Sequence, residues 1–259
     1  MNQEERRRYL IEELQRERPS CHRQEIPADA DRQKILLRGL MNVRQPGTIS
    51  QRFLEVQDDY LQEELTAKKI ARLSELFPVR EGIYLWRGDI TTLKCGAIVN
   101  AANSGMTGCY QPCHNCIDNC IHTYAGVQLR LKCAEIMVEQ GYEEPTGQAK
   151  ITPAYNLPCG YVIHTVGPIV RGELTRQHCE LLKACYRSCL ELADENNVGS
   201  IAFCCISTGV FMFPNDRAAE IAVGTVQEYK AETGSKIEVV FNVFKEQDEK
   251  IYRKLLCAD

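Results

Sequence analysis

Along the first 78 residues, short apolar clusters recur against a strongly charged background. Tyr9-Leu10-Ile11, then Ile35-Leu36-Leu37 with Leu40 and Met41, then Phe53-Leu54 and Tyr60-Leu61 fall at spacings that cover one face of successive helices. Pro27, Pro46-Gly47 and Pro78 punctuate them, and Thr48-Ile49-Ser50 offers an N-cap to the third helix. Residues 1–78 are therefore expected to form a small helical N-terminal module. From Gly82 the pattern changes to brief apolar runs separated by helical periods, which predicts an α/β layer structure for residues 79–259. Residues 83–86, 97–100, 161–166, 200–203 and 237–244 read as strands. Ile117, Ile121, Ala125 and Leu129 mark one face of a helix that starts just after Cys116. Leu181, Cys185, Cys189 and Ala193 line a second helix, and Ala218, Ala222, Val226 and Tyr229 a third after Pro214.

Composition narrows the function classes. With 44% hydrophobic and 25% charged residues in a chain of 259, a globular core is expected rather than a fibrous or disordered chain. The net charge of −4 gives no electrostatic footprint for a nucleic-acid backbone, so nucleic acid is not an expected partner. A ligand phosphate would have to be held locally, by backbone N–H groups and helix ends. The chain begins Met1-Asn2-Gln3-Glu4-Glu5-Arg6 rather than with a basic stretch followed by an apolar one, and no segment approaches the roughly 18 apolar residues of a membrane span. A cytoplasmic protein without membrane contact is the expectation. In a reducing compartment the 14 cysteines read as metal ligands or small core residues, not as a disulfide framework.

Three strand ends carry small residues that expose backbone. The first is Gly88-Asp89-Ile90-Thr91, a turn whose carboxylate could accept a hydrogen bond from an exocyclic amine. The second runs Asn100-Ala101-Ala102-Asn103-Ser104-Gly105-Met106-Thr107-Gly108. The third, Ile206-Ser207-Thr208-Gly209-Val210-Phe211, leads into a helix, so its N–H groups could cradle a pyrophosphate.

In this order the three loops resemble the signature of the macrodomain family of ADP-ribose binders, over about residues 80–258. The resemblance implies a three-layer α/β/α macrodomain with a mixed central sheet, behind the N-terminal module. It implies that Asp89 binds the adenine amino group with Ile90 beside it, and that Asn103 meets the distal ribose. Ser207, Thr208, Gly209, Val210 and Phe211 would surround the diphosphate and that ribose, and Phe244 would stack near the adenine. One position departs from the family pattern: Met212 stands where a glycine is common, so the φ freedom of glycine is absent there.

Between the second loop and the following helix lie Cys109, Cys113, His114, Cys116, Cys120 and His122, four thiols and two imidazoles of the kind zinc prefers. The segment is similar to that of the zinc-dependent macrodomain subgroup of protein-ADP-ribose hydrolases, which implies zinc as cofactor and Cys109, His114 and Cys116 as its ligands. Cys113 and Cys120 fall at variable positions of that pattern and read as bystanders, and His122 as a helix–loop hydrogen-bonding residue. Three protein ligands leave one position open, as in catalytic rather than structural zinc sites. Such a zinc could act as Lewis acid on a substrate oxygen or acidify a water. By the same resemblance Cys116, Ile117 and Asp118 line the ligand, and Asn103 and Asp118 are the candidate catalytic residues. Asp118 could instead be a helix-start carboxylate serving the dipole. The implied activity is removal of mono-ADP-ribose from modified protein side chains, with ADP-ribose released. A non-catalytic ADP-ribose reader and a deacylase of O-acyl-ADP-ribose remain as alternatives.

Overall fold

The computed structural model describes residues 1–20 and 23–257, and the chain opens with α1 (Gln3–Arg16), α2 (Ala30–Val43) and α3 (Gln51–Thr66). Each helix starts on a side chain that accepts from a free backbone N–H: Asn2 from Glu5, Asp29 from Arg32 and Ser50 from Phe53. Their apolar faces meet around Leu10, Ile11, Leu37, Leu40 and Phe53, and Val127 from further along the chain inserts into the same cluster. This is the helical module that the spacing of apolar clusters predicts. The stretch after it also carries β1 (Ala71–Arg72), a single 3-10 turn over Leu73–Glu75, and the start of β2 (Pro78–Arg80).

The remaining elements alternate. They are β3 (Ile83–Arg87), β4 (Leu93–Lys94), β5 (Ala97–Ala102), α4 (Ile117–Ala125), α5 (Val127–Gln140), β6 (Ala149–Pro153), β7 (Tyr161–Val166), α6 (Arg176–Glu195), β8 (Ser200–Phe203), α7 (Asn215–Thr233), β9 (Glu238–Val243) and α8 (Glu246–Leu256). Seven strands form one sheet in the order β2-β3-β9-β8-β5-β7-β6, while β1 pairs with β4. The five inner strands run parallel and the two edges, β2 and β6, run antiparallel to their neighbours, so the sheet is mixed. The flanking helices complete the α/β/α layers that the sequence leads one to expect.

The central strands β5, β7, β8 and β9 are legible because they are buried on both faces and so read as largely apolar runs. Ile98, Val99, Val162, Ile163, Ile201 and Val240 are completely inaccessible to solvent. The edges escaped that reading. In β6, Lys150 and Pro153 interrupt the pattern, as an edge strand that needs ladder bonds on one side only permits.

One predicted helix is two. The apolar face running from Ile117 to Leu129 continues, but the backbone breaks at Gly126, where φ is +94°. A Cβ on Gly126 would lie 2.6 Å from Gln57 Nε2, so the break rests on glycine and on a close approach by α3. Gln57 Oε1 accepts from the Val127 N–H at 2.9 Å, which gives α5 its first cap. The periodicity could not show this, because the partner is 70 residues away in the chain.

Thirteen cysteines are described and none is in a disulfide; Cys133, Cys185, Cys189 and Cys204 belong to the main core.

Candidate active site

The site gathers at the ends of the inner strands. At the end of β5, register with β7 sets Asn100 beside His164, whose Nδ1 is 3.1 Å from Asn100 Nδ2. The same Asn100 Nδ2 donates to Asp118 Oδ1 at 2.8 Å. Asn103, just past the strand, donates to the Gly108 carbonyl at 3.1 Å and makes a longer contact of 3.4 Å to Asp118 Oδ2. Asp118 is thus held between two amides at the first turn of α4. Its side chain is only 7% exposed. Burial pushes its carboxyl up to about 6, a rise that the Asn100 hydrogen bond and the charge of Arg130 oppose.

Beside this pair lies the predicted metal segment. Ligating atoms of Cys109, His114 and Cys116 come within 4.8 Å of one another, and Cys109 Sγ is 3.7 Å from His114 Nδ1. Cys116 is the N-cap of α4, and its sulfur accepts from the Asn119 N–H at 3.4 Å. Burial pushes the Cys116 thiol up to about 12, so a thiolate there calls for a cation next to it. Two sulfurs and an imidazole form the soft donor set that suits zinc. Cys113 and Cys120 turn elsewhere: Cys113 Sγ donates to the Ile35 carbonyl at 3.5 Å, and Cys120 Sγ sits 3.7 Å from Arg38 Nη2.

His122 departs from its expected role. Neither ring nitrogen has a hydrogen-bond partner among the described residues. The ring packs on Gly108 so closely that a Cβ there would lie 2.8 Å from its Cγ, and Asp118 Oδ1 stands 3.6 Å from Nε2. Ligating atoms of His122, Cys133 and His164 also lie within 4.8 Å of one another, all buried. In that second group, however, His164 Nε2 is engaged by Thr152 Oγ1 at 2.9 Å and Nδ1 by Asn100. Burial lowers both imidazoles, His164 to about 3, so both are neutral.

At the other end of the site Asp89 caps the 3-10 turn over Ile90–Thr92, accepting through Oδ1 from Thr91 N at 3.0 Å and Thr91 Oγ1 at 2.6 Å. Its Oδ2 lies 3.6 Å from Lys68 Nζ, which stands 3.7 Å above the Tyr124 ring. Lys68 and Tyr124 were not singled out from the sequence; nothing in their own neighbourhood signals a contact with Asp89. The Gly88 N–H donates to the Val243 carbonyl at 3.0 Å, so Phe244, 76% exposed, follows β9 at the same corner as Asp89.

The third loop closes by its own backbone: Met212 N donates to Gly209 O and Phe213 N to Ser207 O, both at 3.0 Å, and Val170 N donates to Phe211 O at 2.9 Å. The N–H groups of Gly209, Val210 and Phe211 donate to no described residue, which leaves them free for an anion. Ser207 has φ of +65° and a buried Oγ without a described partner. Met212 adopts φ of +56°, so the methionine takes up the left-handed conformation that a glycine would hold more easily.

Three loops at strand ends of a mixed α/β/α sheet define a macrodomain, and a sequence model of the Macro domain matches residues 99–222. The chain belongs to the macrodomain family. It is 64% identical over 260 residues to a Protein-ADP-ribose hydrolase of Treponema medium, covering 99% of this chain and all of the relative. It is 50% identical over 253 residues to the Protein-ADP-ribose hydrolase of Staphylococcus aureus strain MSSA476, covering 97% of this chain and 95% of that protein. The Trypanosoma brucei macrodomain solved in complex with ADP-ribose superposes with a TM-score of 0.65 at 31% identity, covering 89% of this chain and 97% of that one. These matches place the chain among the hydrolases of the family.

Proposed function

We propose that the protein is a zinc-dependent hydrolase that removes mono-ADP-ribose from modified protein side chains, with Cys109, His114 and Cys116 as the metal ligands. The observation that carries this reading is the convergence of their three ligating atoms within 4.8 Å of one another, at the helix start that also carries Asp118. The end-to-end match to proteins named Protein-ADP-ribose hydrolase supports it. Cys109, His114 and Cys116 would hold the zinc, which when bound would supply Lewis acidity beside the distal ribose.

The chain's own residues do the remaining work. Asp89 offers Oδ2 to the adenine amino group, with Ile90 beside it and Phe244 as a stacking face. The free amides of Gly209, Val210 and Phe211, with Ser207 and Thr208, receive the diphosphate. Asn103 and Asp118 orient the distal ribose, with Cys116 and Ile117 lining the same wall. Hydrolysis adds water across the ribose–side-chain bond: the ribose leaves with a hydroxyl and the side chain regains its proton. We take residues 1–78 as the helical module and 79–259 as the macrodomain. Thirteen unpaired described thiols support work in a reducing compartment such as the cytoplasm. No described helix is long and apolar enough to cross a membrane.

The test compares wild type with Cys116→Ala for bound metal and for release of label from a mono-ADP-ribosylated protein. The variant is expected to lose both zinc and turnover; a metal-free, fully active variant would overturn the reading. Retention of labelled protein without release marks a reader instead, and a preference for O-acyl-ADP-ribose marks a deacylase.

A further inference from the structure

The segment from Asn103 to Cys116 joins β5 to α4 without regular structure, so its backbone groups must find partners outside a helix or sheet. Two of those partners sit on α2 of the N-terminal module. Arg38 and Asn42 are one helical turn apart and share a face. Arg38 Nη2 donates to the carbonyl of His114 at 2.8 Å and to Asn119 Oδ1 at 3.1 Å. Asn119, wholly buried, in turn donates through Nδ2 to the carbonyls of Gln111 at 2.9 Å and Cys109 at 3.4 Å, and its N–H meets Cys116 Sγ. Asn42 Oδ1 accepts from Cys113 N at 2.9 Å, and Cys113 lies between the first two ligands with φ of +55°. The other end of the same amide donates to Thr123 Oγ1 at 2.9 Å, which itself bonds the Asn119 carbonyl at 2.7 Å.

From this network we infer that the N-terminal module serves the active site, with Arg38 and Asn42 as positioning residues that hold Cys109, His114 and Cys116 in ligating register. The inference rests on the zinc reading above. Each candidate ligand is tied in: His114 directly through its carbonyl to Arg38, Cys109 and Cys116 through Asn119. A helix of a separate core thereby sets the spacing of three ligands that lie on a loop. Outer residues that orient metal ligands in this way ordinarily change metal affinity by about 10–100-fold when removed.

The experiment uses the full chain and four proteins: wild type, Arg38→Ala, Arg38→Lys and Gln62→Ala. Gln62 docks the same module elsewhere, through Nε2 to the Asn156 carbonyl at 3.0 Å. Zinc affinity is read by competition with a chromogenic chelator, ligand geometry by the visible spectrum of the cobalt-substituted protein, and turnover on a mono-ADP-ribosylated protein. Arg38→Ala is expected to lose about tenfold or more in zinc affinity, with an altered cobalt spectrum and a fall in kcat at nearly constant KM. Arg38→Lys, which keeps the charge and one donor, should recover part of the affinity, and Gln62→Ala should behave as wild type. An Arg38→Ala protein with wild-type affinity and spectrum would overturn the inference alone. So would an equal loss in Gln62→Ala, since docking of the module as a whole would then be the cause. A wild type that binds no zinc would overturn the zinc reading and this inference with it.

Discussion

Met212 tests whether the loop after β8 is shaped by its own hydrogen bonds or by its side chains. Its φ of +56° lies in the left-handed region, which costs a residue with a Cβ about 1–2 kcal/mol. Glycine removes that cost but frees the unfolded chain, a loss of about 0.4–1 kcal/mol. The Met212 side chain is mostly exposed, at 61%, so its removal sacrifices little packing. The balance favours Met212→Gly by about 0.5–1 kcal/mol, equivalent to a rise in Tm of about 1–4 °C for a chain of this size. Urea unfolding followed by two probes gives the midpoint, and the slope should stay unchanged if only stability moves. The three backbone bonds that close the loop are independent of the side chain, so ADP-ribose affinity measured by calorimetry should stay within about twofold, or 0.4 kcal/mol. A glycine variant less stable than the parent would refute the reasoning, because the contacts of the methionine would then outweigh the strain of its backbone.

Two other substitutions probe the site through packing and protonation. Gly167 faces Ser207 so closely that a Cβ would stand 2.1 Å from Ser207 Oγ and 2.9 Å from Ile206 Cγ2. Gly167→Ala should therefore cost about 1–3 kcal/mol in stability and, by displacing the third loop, weaken ADP-ribose binding about tenfold; unchanged values in calorimetry and urea unfolding would contradict this. His164 is neutral in the fold, with a pKa near 3, against 6.5 in the unfolded chain. Unfolding there takes up a proton between those values, so this residue's contribution is full above pH 6.5 and is lost as pH falls, at about 1.4 kcal/mol per unit. Asp118, raised to about 6, acts in the opposite sense. The readable quantity is therefore the difference in slope from His164→Gln, and parallel pH–stability curves would count against a buried neutral imidazole.

The proposed ligands show why some of the site was legible in the chain. Cys109, His114 and Cys116 fall within eight positions, so residue type and short spacing by themselves mark them as a candidate donor set. The central strands β5, β7, β8 and β9 are visible for a related reason, since burial on both faces writes a largely apolar run. The Met212 departure was equally plain, although its outcome was not: sequence marked the missing glycine, and the structure shows the left-handed turn formed regardless.

Other features depend on contacts between distant parts of the chain, for which local pattern carries no signal. Lys68 reaches Asp89 across 21 positions, and Arg38 reaches the His114 carbonyl across 76. Gln57 caps the start of α5 from 70 residues away. His122, one helical turn past Asp118, reads in sequence as a hydrogen-bonding residue, yet packing seals both nitrogens against Gly108 and the core. The amino-acid order by itself thus offered candidates for binding metal, phosphate and adenine, because residue type and short spacing limit that chemistry, and the family resemblance assigned their roles. Only the tertiary structure decided which of them are buried, which are paired, and that the helical module braces the loop, because desolvation and long-range hydrogen bonds exist only once the chain has closed on itself.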